Sequence, residues 1–260
     1  MNEHADKAGN QSTRVVFRII EEMAQIGESA RLTDLALRLG MPKPRVYRFL
    51  QSLRDMGYVW QDPATERYGL TLKLFHIGQA ISDATPITSL ARPLMVGLRD
   101  ACGQTTTLSL PEAGGMRVID IVRTESPVEI VTRPGALLAF HASAQGKLAL
   151  AFGSPTGWQV VRRGPLERVT DRTNTDLAQL EAECARARES GWAVAPEETL
   201  RGVNALSAPI FDGDGSFVAT ITIAGPVQDI QPEPDPRLVA QVQDAARTIS
   251  RNLGCKEYPV

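Results

Sequence analysis

Residues 33–57 read TDLALRLGMPKPRVYRFLQSLRDMG and hold two short helical patterns separated by a turn. The first pattern follows Thr33, a suitable N-cap, and runs to Gly40. The second begins at Pro44, where a proline suits a helix because the first N–H has no helical partner. Its apolar residues fall within an arc of about 120°. They are Val46, Phe49, Leu50, Leu53 and Met56. This arrangement predicts a helix-turn-helix.

The flanking residues extend the pattern to a complete small domain. Upstream, a helix is predicted from Ser12 or Thr13 to Gly27, after a polar tail over 1–11 that we expect to be disordered. Downstream, residues 58–60 and 67–70 form two strand patterns around a turn. Helices followed by a hairpin predict a winged helix-turn-helix domain over 12–70.

The face of the second helix away from the apolar arc is basic. From Arg38 to Arg54 the chain has five basic residues and no acidic one. Arginine and lysine contact phosphates and guanine, and glutamine suits adenine edges. A solvated face on an ordinary helical domain would share this pattern, but the turn and wing favour double-stranded DNA as the partner. The predicted DNA-binding residues are Lys43, Pro44, Arg45, Tyr47, Arg48 and Gln51.

Residues 71–85 predict one further helix behind Thr71, with an apolar stripe that the small domain cannot cover. The stripe consists of Leu72, Leu74, Phe75, Ile77 and Ile81. It indicates a linker helix that either pairs with another subunit or packs on the chain's own second domain. The residues alone leave both possibilities open.

Residues 86–255 change in character. Strand patterns are grouped among helices, and Asp212-Gly213-Asp214-Gly215 is a strong hairpin signal near the end. This grouping predicts an α+β domain built on an antiparallel sheet, large enough to enclose a small-molecule pocket. The fold class is therefore α+β, with an N-terminal winged helix-turn-helix domain, a linker helix and a C-terminal sheet domain.

One motif in this second domain indicates a ligand. His141-Ala142-Ser143-Ala144-Gln145-Gly146-Lys147 opens a predicted helix, with Ser143 as its N-cap. The free N–H groups of a helix N-terminus favour an anion such as a carboxylate. Gly146 in the first turn indicates a close approach to the backbone, either by a ligand or by tight packing.

Composition excludes several classes of protein. The chain has 260 residues, a net charge of −2 and 22% charged residues, so it is not a uniformly basic nucleic-acid binder. No apolar run is long enough for a membrane helix, and no signal-peptide core is present. Three scattered cysteines without a CxxC pair predict neither a disulfide framework nor a zinc site. We expect a cytoplasmic protein that does not contact a membrane.

Catalytic motifs are also missing. No G-x-S-x-G elbow surrounds Ser143, and only three histidines are available as bases. Gln145-Gly146-Lys147 lacks the earlier glycine of a phosphate loop. We therefore predict no enzyme activity, no catalytic residue, no cofactor and no metal.

Three stretches, taken together, resemble the IclR-type transcriptional regulators over nearly the whole chain. They are LTDLA with GMPKPRVYRFL (residues 32–50), FHASAQGKLALA (140–151) and GVNALSAPIFD with ITIAGP (202–226). The resemblance implies a GAF-like effector-binding domain and homodimers, often paired into tetramers, on near-palindromic operators. It also places a small-molecule effector between the helix at 143–152 and the last strand. The implied effector-binding residues are His141, Ser143, Ala144, Gln145, Gly146, Thr222 and Ala224, with Arg133 as a further neighbour.

The chain departs from the family pattern at two places. Pro44-Arg45 stands where members often carry Ser-Thr, so the operator sequence does not transfer. Thr222-Ile223-Ala224-Gly225-Pro226 stands where keto-acid binders show Ser-x-Ser-Gly-Pro, and one hydroxyl is replaced by a methyl. A larger or more apolar organic acid, such as an aromatic acid, fits this change better. The expected function is a ligand-responsive repressor or activator, and the alternative is a small-molecule sensor module without a direct DNA role.

Overall fold

The computed structural model describes residues 3–83, 86–124, 133–153 and 155–260, and the chain divides into two compact units. The first unit covers Met1–Ala84 and the second covers Thr85–Val260. The division falls at the end of the predicted linker segment, which belongs to the N-terminal unit. The C-terminal unit continues past residue 255, because the Tyr258 hydroxyl donates to the Pro209 carbonyl at 2.5 Å.

The N-terminal unit is the predicted winged helix-turn-helix. It consists of α1 (Glu3–Ile26), α2 (Leu32–Leu39), α3 (Lys43–Asp55), β1 (Val59–Gln61), β2 (Tyr68–Leu70) and α4 (Lys73–Asp83). The two strands pair antiparallel, with Val59 opposite Leu70. The first three helices and the hairpin share one apolar core, in which Ile19, Leu35 and Leu50 are fully buried. Gly40 ends α2 in the left-handed conformation, at φ 62°, and so makes the turn into α3.

The expected disordered tail over 1–11 is wrong for the described residues from Glu3 onward. The helix does not begin after Ser12 or Thr13 but at Glu3. Packing of Val15, Ile19 and Met23 already holds the helix in the domain core. Once a helix is nucleated, each added residue costs little, so the helical pattern extends backward past the predicted cap.

The C-terminal unit is an antiparallel sheet flanked by helices on both faces. The helices are α5 (Pro86–Cys102), α6 (Ala144–Phe152), α7 (Thr156–Val161), α8 (Leu177–Ser190) and α9 (Pro236–Asn252). The strands are β3 (Thr105–Glu112), β4 (Gly115–Val122), β5 (Leu137–Leu138), β6 (Ala193–Val194), β7 (Val203–Phe211) and β8 (Phe217–Pro226). Their order across the sheet is β5-β4-β3-β8-β7-β6. The predicted hairpin at residues 212–215 joins β7 to β8.

The two faces of this sheet differ in chemistry. Leu108, Leu206 and Ile221 alternate to one face and form an apolar core with α5 and α9. Thr107, Ser207 and Thr222 are cross-strand neighbours on the other face, where α6 contacts β7 and β8. This second face is therefore buried but polar, and it faces the helix that the sequence motif opens.

Helix α6 is buried along its length, from Ala144 to Ala151. Gly146 in its first turn meets the preceding loop, because a Cβ at this position would lie 2.4 Å from the Phe140 carbonyl oxygen. No side chain fits at that distance. The close approach inferred from Gly146 is thus made by the chain's own backbone rather than by an open ligand site.

Two helical glycines should respond in opposite directions to alanine. Gly146→Ala should destabilise the C-terminal unit by about 1–3 kcal/mol, because its Cβ overlaps backbone that cannot yield. Gly97→Ala on α5 has no atom within 4 Å of the added carbon, so we expect it to stabilise by about 0.4–1 kcal/mol. Urea unfolding of both variants measures the difference. Equal stability of the two variants would contradict the packing argument.

Candidate functional sites

The first candidate site is the N-terminal half of α3. Lys43, Pro44, Tyr47 and Arg48 are exposed, and Arg45 is half-buried. Val46, Leu50 and Leu53 on the opposite side are buried in the domain core. The predicted division of this helix into an apolar and a basic face is therefore present, with the basic face at its start.

The cationic groups on this face are free to meet a partner. In the described part of the chain, the side chains of Lys43, Arg45 and Arg48 make no hydrogen bond or ion pair. By contrast, Arg38 donates to Glu22 at 2.9 Å and Arg54 donates to Gln61 at 3.3 Å. Unpaired positive charge is thus present at the exposed start of α3, as binding to phosphates requires.

Gln51 does not occupy the exposed position that the helical angles predicted. It is half-buried, and its Nε2 atom is enclosed without a hydrogen-bond partner among the described residues. The cause is the wing, because Tyr68 of β2, whose pKa is raised by burial, lies beside Gln51. The hairpin covers the side of α3 on which Gln51 lies. The helical angles of α3 alone predict that this side is exposed to DNA.

The tip of the wing is acidic. It carries Asp62 and Glu66, and the side chain of neighbouring Arg67 turns back to donate to the Ser29 carbonyl at 3.0 Å. The Asp62 carboxylate accepts from the Thr65 hydroxyl at 2.6 Å and the Ala64 N–H at 2.9 Å, and these hydrogen bonds lower its pKa. Positive charge in this region therefore belongs to α3 and not to the wing tip.

The second candidate site is a cavity of about 250 Å³ at the start of α6. It lies between α6, the polar face of the sheet and the segment after β6. It brings together Ser143, Ala144, Gln145, Thr222 and Ala224 from the predicted set. The remaining lining residues are Thr107, Ala136, Leu138, Ala195, Thr199, Leu200, Val203 and Ala205.

The electrostatics of this cavity come from the backbone. The Ser143 hydroxyl accepts from the Gly146 N–H at 3.2 Å and donates to the Ala139 carbonyl at 2.8 Å. The N–H groups of Ala144 and Gln145 have no partner within the described chain. None of the described lining residues is charged. The positive end of the helix is therefore the main source of potential for an anion in this cavity.

Three residues that the sequence placed near an effector lie elsewhere. The His141 Nε2 atom is 2.8 Å from the Glu167 carbonyl, and His141 does not line the cavity. Gly146 packs on the Phe140 backbone, and its N–H is capped by Ser143. Arg133 is exposed and also lies outside the lining. The side chains of successive residues in this motif point in different directions. The motif alone therefore does not show which of them face the cavity.

Lys147, the last residue of the motif, is held in a buried ion pair. Its Nζ lies 2.5 Å from Glu198 and 2.8 Å from Glu183, and Lys147 and Glu198 are both almost fully buried. Burial raises the pKa of Glu198, and the Lys147 charge opposes that shift. The pair joins α6 to the 195–203 segment, which contributes four residues to the cavity wall. Sequence reasoning missed this segment because it has no motif and reaches the cavity only through the fold.

The geometry offers no catalytic arrangement in the described residues. Ser143 caps its helix, and His141 contacts Glu167 rather than Ser143. Burial raises the pKa of the Cys184 thiol to about 12, so it stays protonated. Within the described ranges, no group of histidine, cysteine and acidic residues could hold a metal. No described helix is long and apolar enough to cross a membrane.

Comparisons with known proteins identify both domains of the chain. A family model described as the IclR helix-turn-helix domain matches residues 12–63, and one described as bacterial transcriptional regulator IclR C-terminal matches residues 79–251. The glycerol operon regulatory protein of Streptomyces griseus is 31% identical over 87% of this chain and 90% of its own length. The transcriptional repressor AllR of Escherichia coli K12 is 29% identical over 96% of this chain and 93% of its own length.

A solved structure shows the same fold. It is an IclR homologue from Microbacterium hydrocarbonoxydans, complexed with 4-hydroxybenzoate. It superposes with a TM-score of 0.81 at 22% identity, over 92% of this chain and 97% of that chain. The matched relatives are transcriptional regulators and not enzymes. With both family models matched in order along its length, this chain belongs to the IclR family of helix-turn-helix transcriptional regulators.

Proposed function

We propose that the chain is an effector-responsive regulator that binds an operator through α3 and a small organic acid in the cavity of its C-terminal unit. The observation that carries this proposal is the cavity at the start of α6, whose wall includes Ala144 and Gln145, two residues with N–H groups that have no partner among the described residues. Such groups bind a carboxylate well because they need no reorganisation. The regulated genes would serve catabolism of that acid.

The chemistry of the cavity sets the class of effector. Its volume of about 250 Å³ lies below the roughly 300–1,000 Å³ of drug-sized sites, which favours a small molecule. The body of the acid would lie against methyl and aliphatic groups from Ala205, Ala224 and Val203. The 4-hydroxybenzoate in the structural relative supports an aromatic acid as one candidate.

On DNA, the free residues of α3 divide into two roles. Arg48 and Tyr47 stand exposed on the first turns of the helix and are proposed to reach base edges in the major groove. Lys43 and Arg45 at the helix start are proposed to contact phosphates. Pro44 presets the helical backbone between them, and Gln51 supports the wing.

The proposed assembly is a homodimer, further paired into a tetramer, on a two-fold symmetric operator. Leu72, Phe75 and Ile77 on and before α4 are 72%, 63% and 42% exposed. Large apolar side chains exposed side by side mark an interaction surface. An effector changes operator affinity only if it binds one arrangement of the dimer better than another.

Two substitutions on α3 separate base reading from phosphate contact. Arg48→Ala should cost about 1–3 kcal/mol on the operator and relax its specificity. Lys43→Ala should weaken binding to all DNA sequences. It should also reduce the slope of log binding constant against log salt concentration by about 1. Arg54→Ala serves as control, because Arg54 already binds Gln61. Fluorescence anisotropy measures the affinity of all three variants for operator and scrambled duplexes at several salt concentrations. A wild-type chain that binds no duplex at any salt concentration would indicate a sensor module without a DNA role.

The assembly predicts that a charge on α4 weakens operator binding through dimer loss. Phe75→Lys is the sharper choice, because Phe75 is 63% exposed whereas Leu74 is half-buried. We expect a lower mass by light scattering at micromolar protein and weaker operator binding, with an unchanged C-terminal unit. Leu37→Lys, at a residue 84% exposed on α2, should keep the wild-type mass. A Phe75→Lys chain of unchanged mass would contradict the proposal.

Filling the cavity should abolish the effector response. Ala224→Trp places an indole among Thr105 and Ala205, its cross-strand neighbours. We expect operator binding to persist and the melting shift with benzoate and hydroxybenzoates to disappear. If Ala224 only packs the core, the variant should instead lose about 1–3 kcal/mol of stability by overpacking. A variant that melts like the wild type and still binds these acids would show that the cavity is not the effector site.

A further inference from the structure

Two polar side chains in the cavity wall have no partner. Among the described residues, five polar side chains line this cavity: Thr107, Ser143, Gln145, Thr199 and Thr222. Three of them are engaged, because Ser143 donates to Ala139, Thr199 donates to the Ala142 carbonyl at 2.6 Å and Thr222 lies 2.8 Å from the Ser207 hydroxyl. Thr107 and Gln145 make no side-chain hydrogen bond within the described chain, although each is only 3% exposed.

The atoms of these two residues differ in what can reach them. The Oε1 atom of Gln145 is completely enclosed, and its Nε2 atom is not. The Thr107 hydroxyl is likewise not completely enclosed, whereas the hydroxyl of neighbouring Thr106 is. Because both residues are buried and both line the cavity, the space open to these two groups is the cavity itself.

Their chemistry defines the group they would bind. The Gln145 Nε2 atom can only donate, and the Thr107 hydroxyl can donate or accept. Buried polar groups in proteins nearly always have a partner, so two unpartnered ones in a ligand-sized cavity indicate a partner supplied from outside. A hydroxyl group matches the chemistry of both, since it can accept from the Gln145 Nε2 atom and can donate to or accept from the Thr107 hydroxyl.

We propose that Thr107 and Gln145 form a second polar subsite that binds a hydroxyl group of the effector, beside the carboxylate site at the start of α6. This proposal rests on the proposed function, because it concerns the same cavity. The carboxylate accepts from the N–H groups of Ala144 and Gln145, and the subsite selects hydroxylated acids over the plain acids of the same skeleton. Thr107 and Gln145 are thus specificity-determining residues for the effector.

The test compares matched acids on the full-length chain. Isothermal titration calorimetry with benzoate against 2-, 3- and 4-hydroxybenzoate, and with propionate against lactate, gives the preference for a hydroxyl. We expect the wild type to bind at least one hydroxylated acid about fivefold or more tighter than its parent, as one added hydrogen bond allows. Thr107→Val and Gln145→Met should reduce that preference to within about twofold.

Thr106→Val is the matched control. Thr106→Val removes an unpartnered and fully enclosed hydroxyl from the neighbouring residue of β3, on the other face of the sheet. This control variant should keep the full preference for hydroxylated acids over plain acids. If Gln145→Met fails to fold, Thr107→Val and Thr107→Ser still test the subsite. Serine keeps the hydroxyl, so we expect the preference for hydroxylated acids to be lost only in Thr107→Val.

The outcomes separate this inference from the proposed function. A wild-type chain that binds none of these acids overturns the organic-acid effector and the subsite together. A chain that binds the plain and the hydroxylated acids equally, or whose preference survives Thr107→Val, overturns the subsite alone. Loss of the preference in Thr106→Val as well would show that any missing hydroxyl on β3 has this effect, and that also overturns the subsite.

Discussion

The C-terminal unit depends on the burial of the first turn of α6 against the preceding loop. Gly146 brings the helix to within contact of the Phe140 backbone, which no other residue type permits. The helix start then lies over the polar face of the sheet, and Ser143, Ala144 and Gln145 are buried there. Ser143 accepts from the N–H group of Gly146, and the N–H groups of Ala144 and Gln145 have no partner among the described residues. One packing constraint therefore creates both the fold of this region and its capacity to bind an anion.

The sheet contributes a complementary constraint. One face is apolar and packs with α5 and α9, so it anchors the unit. The other face carries buried hydroxyls along neighbouring strands, among them Thr107, Ser207 and Thr222. Buried hydroxyls stabilise a fold little unless they are hydrogen-bonded. A sheet with one polar buried face is therefore costly as pure scaffold and suited to holding a small polar molecule.

Charge is separated between the two candidate sites. At the start of α3, Lys43, Arg45 and Arg48 have no side-chain partner among the described residues, whereas the wing tip is acidic. The described wall of the cavity has no charged side chain, and the nearby Lys147 is neutralised by Glu183 and Glu198. In the proposed function, an anion in the cavity is recognised by backbone groups, and DNA is recognised by exposed cationic side chains of α3. These two modes differ in their sensitivity to salt, because exposed charges are screened and enclosed dipoles are not.

The sequence by itself determined the elements whose signals are local. Helical spacing and Gly40 predicted the helix-turn-helix, Asp212–Gly215 predicted the hairpin, and the Ser143 cap predicted the start of α6, because each depends on residues within a few positions of one another. Tertiary structure decided which side chains meet. Gln51 lies on the expected face of α3, but β2 covers it, and His141 belongs to the motif but turns to Glu167. Thr107 and Leu200 enter the cavity from elements far away in the chain, since strand pairing and the path of a loop depend on long-range packing that no local pattern encodes.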